Sequence, residues 1–223
     1  MTAVLFDLDG TLLDLPLAID PVRREIERIL AAAGEPGPAR PLLVAIERAA
    51  AAVASRRGEP AGRDLRARAL AVLDAAERDA ATRATARTGA RETAAELAAR
   101  GIPLAIVTDN GRPCLGPALA AAGLDEIRWH AVTRDDVART KPAPDGVEAA
   151  ARALSSGGAI WMIGDSPRDV GAARAAAALL GDAYQVRTIG VLGGHAAEAD
   201  PRAAAPDHVV SGPGEVAALV AAE

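Results

Sequence analysis

Four short polar clusters carry the side chains of this sequence that are best suited to chemistry, and each follows an apolar segment. They are Asp7 with Asp9, Thr108 with Asp109 and Asn110, Lys141, and Asp165 with Asp169. Carboxylates can act as nucleophiles, transfer protons or bind a hard cation. A hydroxyl and an ammonium can hold the oxygens of a phosphate group. The combination favours phosphoryl chemistry.

Asp7 and Asp9 stand two residues apart, directly after an apolar run. A tight turn can aim the two carboxylates differently, so that one attacks a phosphorus atom and the other handles protons. Phosphoryl transfer mainly requires in-line positioning and neutralised oxygen charge. Mg²⁺ supplies charge and prefers oxygen ligands, for which Asp7 and Asp165 are candidates. Thr108 and Lys141 are candidates for binding the phosphate oxygens.

Each cluster also has a purely structural explanation when it is taken alone. An acidic pair after a strand often caps a helix or forms a turn, and residues 164–166 are a good helix-capping sequence. A lysine in a loop is usually solvated. These explanations account poorly for all four clusters together, because the predicted strands deliver them to one edge of one sheet.

Apolar segments of strand length alternate with helical segments over most of the chain. The strands are predicted at residues 2–6, 103–107, 127–133, 159–163 and 186–192, and the helices at 91–100, 117–122, 144–154, 170–180 and 215–221. This alternation predicts an α/β fold, a Rossmann-like parallel sheet with helices on both faces. Ligands of such sheets bind beyond the carboxyl ends of the strands, which is where the polar clusters fall.

Residues 16 to about 87 interrupt this alternation, because their apolar residues recur only at helical spacing. Breaks at 34–38 and 58–62 separate three helical groups, and the block contains no strand candidate. We therefore predict an α/β catalytic core formed by residues 1–13 and 89–223, with a small all-helical cap domain at 14–88.

Composition excludes several classes of protein. The net charge of −5 argues against general nucleic-acid binding, and no apolar run reaches the ~18 residues of a membrane span. Cys114 is the only cysteine, so no intramolecular disulfide can form. No secretion signal pattern is present at the N-terminus. We expect a cytoplasmic protein without a nucleic-acid or membrane partner.

The four clusters also resemble the four motifs of the haloacid dehalogenase-like (HAD) hydrolase superfamily, in the same order. The matching segments are residues 6–14 (FDLDGTLLD), 107–111 (VTDNG), 141–145 (KPAPD) and 164–169 (GDSPRD). The resemblance implies a parallel sheet with strand order 5-4-1-2-3. It also implies that the helical block is the cap domain that this superfamily inserts between its first and second motifs.

The resemblance further implies a role for each motif residue. Asp7 is the nucleophile, and Asp9 protonates the leaving oxygen, activates water and contacts Mg²⁺ through its carbonyl. The remaining roles are phosphate binding for Thr108 and Lys141, metal binding for Asp7 and Asp165, and support of the metal site from a second layer for Asp169. Asp109 departs from the motif pattern. We group it with the phosphate-binding residues, although the sequence does not indicate how its carboxylate is oriented.

Lys141 is the only lysine among 25 basic residues. Lysine is a compact point charge and arginine a wide planar fork, so a tight phosphate site would explain why lysine is retained here. Residues 14–88 contain 13 arginines and 11 acidic residues but no lysine, histidine or aromatic residue. Arg56 and Arg57, at the break before Gly58, are candidate substrate-specificity residues.

We therefore expect a Mg²⁺-dependent phosphatase that acts on a small phosphorylated metabolite through an aspartyl-phosphate intermediate. Candidate substrates are phosphomonoesters of sugars, polyols or organic acids. One alternative is a phosphomutase of the same superfamily, although such enzymes often have valine where Thr11 stands. Another is a catalytically silent binding protein on this fold. Dehalogenation is disfavoured because relatives with that activity lack the acid that is Asp9 here.

Overall fold

A computed structural model describes residues 1–194 and 200–222 of this chain. The chain divides into two compact units, one formed by Met1–Leu15 with Ala81–Glu223 and the other by Pro16–Ala80. The predicted core ends at residue 13 and resumes at residue 89, whereas the first unit extends to Leu15 and resumes at Ala81. Both extensions belong to it because they pair with each other as two short strands.

The strands and helices of the described residues are numbered in chain order. The strands are β1 Ala3–Phe6, β2 Leu13–Asp14, β3 Thr85–Ala86, β4 Leu104–Val107, β5 Trp129–Val132, β6 Gly158–Gly164, β7 Tyr184–Val191 and β8 His208–Val210. The α-helices are α1 Ile19–Ala32, α2 Leu42–Arg57, α3 Glu59–Ala81, α4 Ala90–Ala99, α5 Arg112–Ala122, α6 Asp145–Leu154, α7 Pro167–Leu180 and α8 Val216–Ala222.

Six strands of the first unit form one parallel sheet in the order β5-β4-β1-β6-β7-β8. Strand β1 lies between β4 and β6, and all four of its residues are buried, as expected for a central strand covered on both faces. Helices α6 and α7 pack on this sheet through Val147 and Ala172, among others. The predicted α/β fold is confirmed. The predicted strands 1 to 5 are β1, β4, β5, β6 and β7, so the observed order, taken from β7 to β5, is the predicted order 5-4-1-2-3.

Two sequence predictions about strands were incomplete or wrong. Strand β8 extends the sheet beyond β7, and its three residues are too few to show a periodicity. The block at residues 16–87 is not entirely helical, because β3 pairs with β2 in an antiparallel ladder of two residue pairs. A ladder this short depends on a distant partner strand and leaves no pattern in its own segment.

Helix α5 begins five residues before the predicted start. The sequence predicts a start at Pro117, but this residue lies inside the helix, which begins at Arg112. Pro113 occupies the first turn, where the fixed backbone angle and missing N–H of proline are tolerated. With two prolines in one segment, the sequence favoured the wrong one as the helix start.

The second unit consists of α1, α2 and most of α3 around a small apolar core that includes Ile26, Ile46 and Leu65. The break predicted at residues 58–62 is shorter than expected, since only Gly58 separates α2 from α3. Gly62 lies inside α3. A Cβ there would lie 2.6 Å from the Ala50 carbonyl oxygen and from the Ala54 Cβ, so glycine allows the two helices to approach.

No helix in the described parts of the chain combines the length and the apolar character of a membrane span.

Candidate active site

The carboxyl ends of three neighbouring strands of the sheet bring together the predicted site residues of the first unit. Asp7 follows β1, Thr108 follows β4, and Asp165 follows β6. Lys141 arrives from the loop between β5 and α6, and Asp169 from the first turn of α7. All five residues are buried, with exposed fractions of 7% or less.

The Lys141 ammonium holds the centre of this cluster. Its Nζ donates hydrogen bonds to Asp7 Oδ1 at 2.5 Å, to Asp169 Oδ1 at 2.6 Å and to the Val107 carbonyl oxygen at 3.1 Å. An ammonium has three hydrogens, so these contacts use all of them. The head of the lysine is therefore fixed in direction as well as in position.

Asp169 is held from both sides. Its Oδ2 accepts hydrogen bonds from the Ser166 N–H at 3.0 Å and the Ser166 hydroxyl at 2.6 Å, which closes the start of α7. Its Oδ1 is the acceptor for Lys141. A Cβ on Gly164 would lie 2.3 Å from the Cβ of Asp169, so this close approach requires glycine. Asp169 consequently orients Lys141.

The turn after β1 directs Asp9 differently from Asp7. Asp9 Oδ1 accepts a hydrogen bond from the Leu15 N–H at 2.8 Å. Asp165 Oδ1 accepts a contact from the buried Thr11 hydroxyl at 3.5 Å, which is long for a hydrogen bond. The Asp165 carboxylate thus differs from that of Asp169, whose two oxygens are both in short hydrogen bonds.

The cluster has an excess of negative charge. Burial raises the pKa of Asp7 well above its ordinary value, and repulsion from Asp169 and Asp165 adds to this against the attraction of Lys141. Burial, together with Asp169, raises the pKa of Asp165 to about 6. Burial opposes the charge of Lys141, but the attraction of Asp169 and Asp7 outweighs it, and the pKa of Lys141 is raised.

This imbalance suits a divalent cation. Carboxylate oxygens of Asp7, Asp165 and Asp169 lie within 4.8 Å of one another. With Lys141 as the counter-charge, the ionised cluster has a net charge of −2. Oxygen ligands of this kind are those that Mg²⁺ prefers. Asp7 and Asp165 have oxygens outside the hydrogen bonds described above, whereas both oxygens of Asp169 are used, so Asp7 and Asp165 fit a metal best.

Asp109 and Thr108 make contacts that the sequence did not indicate. Asp109 Oδ1 accepts the Lys141 backbone N–H at 3.1 Å, and its Oδ2 forms an ion pair with Arg168 Nη2 at 2.7 Å. The carboxylate is therefore engaged with the Lys141 loop, and its role in phosphate binding stays a prediction. The Thr108 hydroxyl donates to Asn110 Oδ1 at 2.8 Å.

Sequence reasoning missed two arginines beside the site. Arg168 stands within the fourth motif, but nothing in the motif shows that its side chain turns back towards Lys141. Arg134 is 2% exposed and donates from Nη1 to the Asp109 carbonyl oxygen at 3.0 Å. A buried guanidinium cannot be recognised from a sequence in which arginine supplies nearly all of the positive charge.

The predicted specificity residues belong to the second unit. Arg56 and Arg57 form the last turn of α2 rather than a loop, and Gly58 follows them directly. The Arg56 guanidinium pairs with Glu35 at 2.5 Å. The break that suggested a loop is a single residue, since α3 begins at Glu59.

Comparisons with known proteins point in one direction. Residues 1–177 match the family model of the haloacid dehalogenase-like hydrolases. A phosphoglycolate phosphatase from Cupriavidus necator is 33% identical over 192 residues, covering 78% of this chain and 77% of that relative. One from Pectobacterium atrosepticum is 34% identical over 87 residues, and the chain spans only 37% of its length. A hydrolase structure from Pseudomonas syringae has a TM-score of 0.70 at 23% identity, covering 100% of this chain and 99% of that one.

A parallel sheet whose carboxyl edge holds a buried group of aspartates around one lysine defines an α/β enzyme with an acidic active site. The chain belongs to the haloacid dehalogenase-like hydrolase family. The predicted superfamily is confirmed, as is the predicted enzyme class, a hydrolase of phosphoric monoesters.

Proposed function

We propose that this protein is a Mg²⁺-dependent phosphatase that hydrolyses a small polar phosphomonoester through an aspartyl-phosphate on Asp7. One observation carries the proposal, namely the buried Lys141 ammonium bonded to both Asp7 and Asp169. A solvated loop lysine would not be buried among carboxylates. A lysine that has to stabilise a nucleophilic carboxylate and an incoming phosphate would be held in this way.

The reaction has two balanced steps. An oxygen of Asp7 attacks phosphorus, the bond from phosphorus to the ester oxygen breaks, and Asp9 gives its proton to the departing alcohol. Asp9 then takes a proton from water, whose oxygen attacks the phosphorus and releases inorganic phosphate and the Asp7 carboxylate. Lys141 and the Thr108 hydroxyl bind the non-reacting phosphate oxygens. The different directions of the two carboxylates support this division of labour.

Asp7, Asp165 and the carbonyl oxygen of Asp9 would hold Mg²⁺. When bound, the ion neutralises charge between the Asp7 carboxylate and the phosphate oxygens. The raised pKa values of Asp7 and Asp165 support this assignment, because burial and the neighbouring carboxylates disfavour both negative charges, and a bound cation would offset that. Asp169 acts from a second layer by orienting Lys141.

Two relatives suggest the first substrate to test. The curated proteins from Cupriavidus necator and Yersinia pestis, 33% and 30% identical to this chain, are phosphoglycolate phosphatases. Phosphoglycolate is a small organic-acid phosphate, which is one of the substrate types that the sequence favours. Thr11 stands where related phosphomutases often have valine, so hydrolysis is preferred over a mutase reaction.

The test is a screen of phosphate esters for released inorganic phosphate. Purified protein is incubated with phosphoglycolate, sugar phosphates and polyol phosphates, either with Mg²⁺ or with excess EDTA. We expect the wild type to release inorganic phosphate only with Mg²⁺. Asp7→Asn, purified in parallel, should release none. Release that persists in EDTA or in Asp7→Asn would contradict the proposal. Isomerisation of a sugar phosphate without release would identify the mutase instead.

A further inference from the structure

The backbone of Lys141 is bound on both sides by charged side chains from two other motifs. Its N–H donates to Asp109 Oδ1 at 3.1 Å. Its carbonyl oxygen accepts a hydrogen bond from Arg168 Nε at 3.0 Å and another from Arg168 Nη2. The second oxygen of Asp109 pairs with the same Arg168 Nη2 at 2.7 Å. Asp109, Lys141 and Arg168 thus form a closed ring of contacts.

The location of Lys141 explains why such a ring is required. Residues 137–144 lie between a short 3₁₀ turn and α6, outside every helix and strand of the described chain. Backbone groups in such a segment have no ladder partners and must be satisfied by other groups. For Lys141, both backbone partners are side chains. The position of its Cα, and therefore of its ammonium, depends on those side chains.

Both side chains come from residues next to, or within, regular elements of the first unit. Asp109 follows Thr108 after β4, and its own carbonyl oxygen accepts a hydrogen bond from the buried Arg134. Arg168 lies in the first turn of α7, one residue before Asp169, which bonds the Lys141 ammonium. The ring therefore connects the second, third and fourth motifs through the backbone of one residue.

We propose that Asp109 and Arg168 are positioning residues that act through Lys141, setting where its ammonium lies against Asp7. This inference rests on the proposed function, in which Lys141 stabilises both the nucleophile and the phosphate. It also reassigns Asp109, whose two carboxylate oxygens face Lys141 and Arg168. A carboxylate directed at a phosphate group would repel it.

The partly exposed Asp109–Arg168 ion pair contributes little to stability, since its side chains are 20% and 40% exposed. A displacement of the ammonium by about 1 Å, by contrast, can lower a rate on the order of 10²-fold. Positioning and stability can therefore be separated. Loss of the ring should leave the fold intact and impair turnover.

The single lysine of this chain provides a direct measurement. Protein labelled only with ¹³C,¹⁵N-lysine gives one backbone amide signal and one Cε–Nζ group. The amide reports the bond to Asp109, and the side chain reports the ammonium, at a fixed pH and without any turnover. Asp109→Ala should shift both signals. Arg168→Ala touches neither labelled nitrogen directly, yet it should still shift the side-chain signal.

Arg139→Ala is the matched control. Arg139 lies in the same loop and also pairs with an aspartate, Asp145, at 2.7 Å, and in the described part of the chain it makes no hydrogen bond to Lys141. We expect it to leave both lysine signals unchanged. Equal shifts from Arg139→Ala would overturn the proposal, because they would show that any change in the loop moves Lys141. An unchanged side-chain signal in Arg168→Ala would also overturn it, because Arg168 would then have no effect on the ammonium.

The kinetic arm uses the substrate with the highest activity in the ester screen. Asp109→Ala and Arg168→Ala should each lower kcat by roughly 10- to 100-fold with a smaller change in KM. Asp109→Asn, which keeps an acceptor for the Lys141 N–H, should recover part of the loss. Unchanged kcat in both alanine variants would overturn positioning. If the wild type hydrolyses no ester, the proposed function fails, while the NMR arm still decides whether the ring positions Lys141.

Should an alanine variant fail to fold, Asp109→Asn and Arg168→Lys replace it in both arms. Arg168→Lys keeps the positive charge but loses the planar fork that reaches the Lys141 carbonyl and Asp109 together. A shifted lysine side-chain signal with reduced kcat would support the proposal. Wild-type values for both properties in both conservative variants would contradict it.

Discussion

Ion pairs are buried at the carboxyl edge of the sheet in the first unit and largely exposed in the helical unit at Pro16–Ala80. At the carboxyl edge of the sheet, the side chains of the ion pair between Lys141 and Asp7 are only 7% and 10% exposed. The pairs Arg56–Glu35, Arg66–Glu47 and Arg68–Asp64 of the helical unit are far more open, with exposed fractions between 23% and 67%.

This difference in exposure indicates which charged residues can be substituted at little cost and which cannot. Exposed ion pairs contribute about 0–1 kcal/mol each and are screened by salt, so the arginines of the helical unit can change at little cost in stability. A buried pair that loses one partner leaves an uncompensated charge, which typically costs about 3–5 kcal/mol. We therefore expect substitutions of the charged residues at the carboxyl edge to cost more than substitutions of the arginines in the helical unit.

The strongest test of this contrast is Asp7→Asn. An amide is a poor nucleophile, so we expect turnover to fall to background. The variant should remain folded, because Lys141 keeps its buried ion pair with Asp169, burial already disfavours the charge of Asp7, and asparagine has nearly the same shape. Phosphate release and thermal unfolding measure the two properties. Near-normal activity in a folded Asp7→Asn would refute the nucleophile assignment.

Asp9→Asn should be impaired by roughly 10²–10⁴-fold in kcat, the range expected for the loss of acid–base catalysis. The Leu15 N–H can still donate to the asparagine oxygen, so the turn after β1 should persist. Asp125→Asn, at an exposed acid of the same unit, serves as the charge-matched control and should be unaffected. Comparable rates in the two variants would remove Asp9 from the mechanism.

Lys141→Arg tests whether activity requires only a positive charge at this site or a positive charge in one defined position. Arginine keeps the charge, but its planar fork cannot reproduce three hydrogen bonds made by one nitrogen in a closed space. We expect a folded protein with kcat reduced on the order of 10²-fold. A kcat within about threefold of wild type, which is only ~0.7 kcal/mol of barrier, would mean that the exact position of the positive charge is unimportant.

Stabilisation by Mg²⁺ should depend on pH with a defined sign. The pKa of Asp165 is raised to about 6, so the metal-free fold gains stability from protonated Asp165 below its ordinary pKa of 3.8. It loses that contribution as the pH rises through about 6. Mg²⁺ must displace this proton at pH 5 but not at pH 7.5, so its stabilising effect should be larger at pH 7.5.

Thermal unfolding with Mg²⁺ and with EDTA at both pH values measures this difference. An added stabilisation of ~1 kcal/mol corresponds to about 2–4 °C in Tm for a chain of this size. Asp165→Asn should remove the part of the pH dependence that Asp165 contributes. A Tm increase by Mg²⁺ that is equal at the two pH values would argue against Asp165 as a ligand.

The smallest effects are expected in the helical unit. Arg56→Ala and Arg57→Ala should raise KM by less than about tenfold, or ~1.4 kcal/mol, and leave the Mg²⁺ requirement unchanged. Arg66→Ala removes a similarly exposed arginine of the same unit and is the control. If all three variants have the KM of wild type, Arg56 and Arg57 do not determine substrate preference.

The α/β fold could be predicted from the sequence because it follows from local patterns. Apolar runs of strand length separated by helical segments require a parallel sheet, and the five longer strands were found close to their observed positions. Strand β8 and the β2–β3 pair could not be predicted, since strands of two or three residues exist only through their partners. The sequence predicts a break that includes Gly62, because nothing in its own segment shows the close approach of α2.

The sequence by itself determined which residues could do the chemistry. Asp7, Asp9, Lys141 and Asp165 are candidates because each follows a predicted strand and because their motifs resemble those of a known family. Such information is local and survives in a linear pattern, which is why the family and the enzyme class could also be predicted.

Only the tertiary structure decided how these groups are held. The contacts from Lys141 to Asp7 and to Asp109 join residues 134 and 32 positions apart in the chain. Side-chain directions over such separations depend on the packing of the whole sheet edge. The orientation of Asp109 and the return of Arg168 towards Lys141 therefore have no counterpart in the sequence pattern.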